Sequence, residues 1–178
     1  ESRLRRWLEA IEEQRLRHGY LTALAYVQDA RGTSSLALET KQEALALRPG
    51  DVTLSNDVAY GWIDAGIRLD EALPLIRRAL SRSPRQPAYL DTYGWLMYKE
   101  GKFEEARRWL ERALAHAEEP DAVILDHLGD AYWRLGRGED AMRRWQQAYD
   151  LVAQRPDGPR NADERRVLEQ APAKIEAV

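Results

Sequence analysis

Apolar and polar positions follow one another along this chain with the period of a helix. In YLTALAYVQDA (20–30) and AVILDHLGDAYWRLG (122–136) apolar residues recur every three or four positions, which places them on one face of an α-helix. A second set of segments begins with an acidic cluster, carries arginine further along and ends near proline or a charged break: LDEALPLIRRALSRSP (69–84), FEEARRWLERALAHAEEP (103–120) and GEDAMRRWQQAYDLVAQRP (138–156). Acids near the start and cations near the end suit the helix macrodipole. No stretch shows the strict alternation of a strand, so the pattern predicts an all-α chain of short helices.

Small residues turn this pattern into a repeat. Ala25, Ala59, Gly94 and Gly129 are spaced by 34, 35 and 35 residues, and Ala37, Ala72, Ala106 and Ala141 by 35, 34 and 35. Ala44, Ala79, Ala113 and Ala148 form a third column. Two antiparallel helices that cross at close range leave no room for a larger side chain, which predicts helix hairpins crossing at these columns. The second repeat holds one extra residue, in DAGIRLDEA, a turn where an insertion costs little. Gly32, Gly66, Gly101 and Gly136 fall where first helices end and a positive φ is useful. Pro74 is expected within about the first turn of its helix.

This helix-turn-helix unit of about 34 residues resembles the tetratricopeptide repeat, with a small residue in helix one, two alanines in helix two and a closing proline. The resemblance implies an α-solenoid, a right-handed superhelix of antiparallel helix pairs, with repeats at 18–51, 52–86, 87–121 and 122–153. Residues 1–17 read as the second helix of a truncated preceding repeat, 154–161 as a linker and 162–178 as a polar C-terminal capping helix. Glu118 and Ala153 depart from the proline expected by analogy with Pro49 and Pro84. The strings SNDVAYGWIDAGIRLDEALPLIRRAL and YLDTYGWLMYKEGKFEEA also look like the C-terminal repeats of large bacterial tetratricopeptide proteins. One group of those comprises envelope lipoproteins that act as adaptors for a carboxyl-terminal processing protease. Such a protein would carry its lipid anchor and further repeats upstream, consistent with a start at Glu1 rather than Met. Bacterial envelope, periplasm and cytoplasm all stay open.

Composition removes several function classes. The 27 Lys and Arg against 30 Asp and Glu leave a net charge of −3, too even for a whole-protein field that gathers nucleic acid or anionic lipid. Cysteine is absent, so there is no disulfide framework, thiolate metal site or cysteine nucleophile. No apolar run approaches the roughly 20 residues of a membrane span. His127 with Asp130 gives two ligands, too few for a selective metal site. No catalytic triad, phosphate loop or dinucleotide fingerprint occurs, and neither an enzyme nor a cofactor is expected.

The resemblance places first helices on the concave wall. Residues beside the small crossing positions then point into a groove: Tyr26, Tyr60, Trp95 and Asp130 in one row, Thr22, Asn56, Asp91 and Asp126 one turn earlier, and Asp29, Ile63, Tyr98 and Trp133 one turn later. Tyr26, Asn56, Tyr60, Asp91, Trp95, Tyr98, Asp126, Asp130 and Trp133 are the candidate partner-binding residues. Aromatic rows give contact area at little entropic cost, and the aspartates favour an apolar or basic segment of a protein partner. The competing reading is that these aromatics only pack repeats together. Tyr93, Met97, Leu128 and Tyr132 are assigned to the core. The expected function is a protein-binding adaptor; the alternative is self-association through the exposed end around Trp7.

Overall fold

The computed structural model describes residues 2–178, the side chains of Ser2, Leu4, Arg5, Trp7 and Leu8 excepted. Trp7, proposed above as an assembly contact, therefore lies outside the described side chains. Nine helices and no strand occur among the described residues: α1 (Ser2–Ala30), α2 (Ser34–Leu47), α3 (Val52–Asp64), α4 (Leu69–Arg82), α5 (Pro87–Lys99), α6 (Phe103–His116), α7 (Ala122–Arg134), α8 (Gly138–Ala153) and α9 (Ala162–Glu176). The helices α1 to α8 pair in order as four hairpins. α3 also packs on α5, and α5 on α7, without comparable packing between the second helices α4, α6 and α8. First helices therefore lie closer together and form the inner wall of a curved stack.

One turn design closes all four hairpins. Gly32, Gly66, Gly101 and Gly136 hold φ of 79°, 68°, 78° and 73°, values that L side chains avoid. The next N–H reaches back to the same relative carbonyl in each case: Thr33 to Gln28, Ile67 to Trp62, Lys102 to Met97 and Arg137 to Tyr132, at 2.9–3.0 Å. These bonds satisfy carbonyls that the helix end would otherwise orphan. The extra residue of the second repeat is absorbed immediately afterwards by Arg68, the one non-glycine residue with positive φ (51°) among those described. Its guanidinium covers the Trp62 ring at 4.1 Å and pairs with Glu71.

The small-residue columns are the crossing points. Ala37, Ala72, Ala106 and Ala141 are fully buried, as are Ala44, Ala79, Ala113 and Ala148. A Cβ on Gly94 would stand 2.9 Å from Leu110 Cγ, and one on Gly129 would stand 2.5 Å from the Trp145 indole. Leu54, Val58, Ile76, Leu96, Leu110 and Leu128 fill the space between. Asp51 and Asp121 start α3 and α7 by accepting from backbone N–H groups of the first turn.

The structure differs from the sequence reading at several points. No break separates residues 2–17 from the first repeat, because α1 runs unbroken through Gly19. A lone glycine there lowers helix propensity by only about 1 kcal/mol, too little to end a helix anchored by its contacts with α2. Pro74 lies in the second turn of α4 and not the first. The Asp70 carbonyl consequently has no helical N–H to accept from. Tyr93 is half-buried against Trp109 rather than enclosed, whereas Met97, Leu128 and Tyr132 are buried.

Candidate functional site

The inner wall is built by α1, α3, α5 and α7, and α9 lies across part of it. Tyr26 on α1 is 46% exposed, and its hydroxyl donates to Asp57 of α3 at 3.0 Å. Burial, followed by the Asp57 charge, raises the Tyr26 phenol above its ordinary range. Asn56 is buried and turns its amide toward Asp57. Burial pushes the Asp57 carboxyl up as well, against Lys41, which lowers it. Tyr60 is half-buried, with its phenol raised by burial and by Asp163 and Asp64.

At the centre the expected open groove residues are enclosed. Trp95 is only 6% exposed. Its indole lies between Tyr98 and His127, with ring centroids 4.5 and 4.0 Å away and planes within 10° of parallel. Its N–H donates to Asp64 at 3.1 Å, and Lys99 stands over the ring while donating to the Asp64 carbonyl at 2.8 Å. Asp91 is buried, 2.9 Å from His127 Nδ1. Burial opposes a charge on His127, yet Asp91, Asp126 and Asp130 outweigh it and raise the imidazole pKa. His127 is thus committed to Asp91 and to the Trp95 face, and no group of three or more metal-ligating side chains occurs among the described residues.

Asp126 and Asp130 are also occupied. Lys174 of α9 donates to both Asp126 oxygens at 2.9 Å and to Asp130 at 2.7 Å, and Trp145 donates to Asp130 at 3.0 Å. Burial and the Asp126 charge raise the Asp130 carboxyl despite Lys174. Burial alone would lower Lys174, but the two carboxylates raise it. Arg166 of α9 donates to Asp64 at 2.7 Å and also pairs with Asp163. Trp133 stands apart, 43% exposed and beside Trp145.

As open ligand anchors, then, Asn56, Asp91, Trp95 and Asp126 are corrected to buried members of the wall. The physical reason is cover that repeat phase alone does not contain: His127 of α7 closes over Asp91 and Trp95, and Lys174 of α9 over Asp126. The sequence reading missed Asp57, Asp64, His127, Arg166 and Lys174. The available signal was Val167, Ala171 and Ile175, spaced four apart in the tail, an apolar stripe that a freely solvated cap has no need for.

A cleft of about 1370 Å³ stays open between α1, α3, the start of α5 and the start of α9. Tyr26, Asp29, Asp57, Tyr60 and Asp64 line it, with Glu118 and Glu119 on its rim. Among the lining residues nine carry a carboxylate and four a cation. Asp29 is paired with Lys41, and Glu118 and Glu119 are exposed. No helix among the described residues is long and apolar enough to cross a membrane.

Comparison with known proteins agrees with this architecture. The tetratricopeptide-repeat family signature matches residues 63–124. A TPR repeat-containing protein of Pseudomonas aeruginosa, PA4667, is 36% identical over 86 residues, 48% of this chain and 14% of that protein. The aspartyl/asparaginyl β-hydroxylase of Mus musculus is 29% identical over 105 residues, 58% of this chain and 14% of the hydroxylase. The chain thus spans about 14% of the length of these curated relatives. Among solved structures, the thermophilic TPR protein TTC0263 of Thermus thermophilus superposes with a TM-score of 0.66 at 19% identity, covering 94% of this chain and 86% of that one. Pseudomonas aeruginosa pilF gives 0.58 at 16%, covering 93% and 78%, and MamA of Desulfovibrio magneticus RS-1 gives 0.57 at 16%, covering 78% and 77%. Identities this low bear on the fold alone.

Proposed function

We propose that this tetratricopeptide-repeat protein is a non-catalytic scaffold whose concave face holds a basic, extended segment of a partner protein. The observation that carries the reading is the excess of carboxylates in the open cleft of a chain whose total charge is nearly balanced. Local complementarity of that kind selects a cationic partner and speeds its encounter. Tyr26 supplies an exposed aromatic surface at one end, and Glu118 and Glu119 a negative rim at the other. The partial match to the hydroxylases concerns a small share of those enzymes.

The test is a titration of the full chain against two fluorescent peptides of about 12 residues, one alternating lysine with alanine and one with glutamate in place of lysine. The lysine peptide is expected to bind, and the Glu118→Lys, Glu119→Lys, Tyr26→Ala variant to lose about tenfold in affinity, roughly 1.4 kcal/mol. Equal anisotropy curves for the two peptides would overturn the reading.

Self-association is the second reading, favoured by Ile11, Leu16 and Tyr20 on α1, which are 43%, 63% and 67% exposed. Light scattering across a dilution series decides it; a constant monomer mass would remove it.

A further inference from the structure

The cations that neutralise the inner wall come largely from outside the repeats. Asp64 of α3 accepts from Arg166, and Asp126 and Asp130 of α7 accept from Lys174. The two donors lie eight positions apart on α9, roughly 12 Å along a helix axis. Between them Val167 and Ala171 are buried, 2% and 0% exposed. This is how an amphipathic helix docks in a groove: apolar anchors at four-residue spacing, flanked by charges that fix register.

α9 also packs along α8. It is reached through 154–161, QRPDGPRN, with two prolines and Gly158 at φ 71°, a composition that forms no regular element of its own. Pro172 within α9 removes an interior helical hydrogen bond. A helix of 15 residues is marginal in water even without that loss. Its order therefore derives from the surfaces of α7 and α8 that it covers. A segment with these properties is a tethered ligand, present at an effective concentration that any competitor must exceed.

We infer that the strip formed by Asp64, Asp126 and Asp130 is a docking site for a cationic amphipathic helix, and that α9 is its resident occupant, displaced by a partner helix carrying two cations eight residues apart around small apolar residues. The inference rests on the concave face being the binding face, but it concerns the strip under α9, which meets the open cleft only at Asp64.

The probe is a fluorescein-labelled peptide of residues 161–178 added to the full chain. The Arg166→Glu, Lys174→Glu variant of the same chain opposes its own α9 to the wall, so it is expected to take up the peptide at least tenfold more tightly than the unaltered chain. Asp126→Asn and Asp130→Asn added to that variant should abolish the gain. Helicity and slow amide exchange in α5 and α7 confirm that the repeats are folded; if they are not, Arg166→Gln with Lys174→Gln replaces the charge reversal. Equal binding to the unaltered and altered chains overturns the inference, as does a concentration-dependent dimer of the unaltered chain formed by exchange of α9. If the lysine–alanine peptide binds the cleft while residues 161–178 show no gain, the scaffold reading stands and this one falls; the opposite pair of results reverses that outcome.

Discussion

Trp95 and Trp133 are the same residue type in adjacent repeats, yet their surroundings assign them different work. Trp95 is stacked on both faces and hydrogen-bonded through its indole N–H, so Trp95→Ala is expected to cost about 3–5 kcal/mol. Trp133→Ala, at a half-open position, should cost under about 1 kcal/mol. Urea midpoints at constant slope measure both. His127 adds a pH dependence with a definite sign. Its folded pKa is raised above the unfolded value, because the surrounding aspartates outweigh its burial. The stabilisation is then complete below about pH 6.5 and is lost as pH rises through the folded value. The stability advantage of the unaltered chain over His127→Gln should accordingly be greatest near about pH 6 and shrink toward about pH 9, which urea titrations at both ends would show. Sequence phase predicted that Trp95 turns inward, and it does. It could not reveal the depth of burial, because that depends on His127 from the next repeat.

The glycines make a comparable division among elements. Gly19 within α1 has nothing near a would-be Cβ, so Gly19→Ala should stabilise by about 1 kcal/mol. Gly129 faces the Trp145 indole at 2.5 Å, and Gly129→Ala should destabilise by about 1–3 kcal/mol through overpacking; thermal melts of the two variants would move in opposite directions. The hairpins were legible in the chain because close helix crossing restricts side-chain volume at fixed intervals, and Ala, Gly and their spacing record that restriction directly. The unbroken α1 was not, since local pattern sets no limit on a helix that lacks a strong stop signal. Nor was the placement of Pro74, where the packing of α4 on α3 carries the helix past a missing hydrogen bond.

For the whole molecule, stability in a stack of repeats is a sum over neighbours, so the interior holds longest. Amides of α5, α6 and α7 should exchange most slowly and those of the first half of α1 most quickly, as hydrogen exchange read by mass spectrometry would show. α9 alters this simple gradient. Its N-terminal end reaches Ala30 through Arg165 at 3.4 Å, its next residue holds Asp64, and its C-terminal end holds Asp126 and Asp130. An arc of stacked hairpins behaves as a spring, whose radius responds to load; a strut fastened near both ends fixes that radius. Extension of the tethered molecule should start with a stiff response and become compliant once the strut detaches, so that the curvature offered to any partner depends on whether α9 is in place.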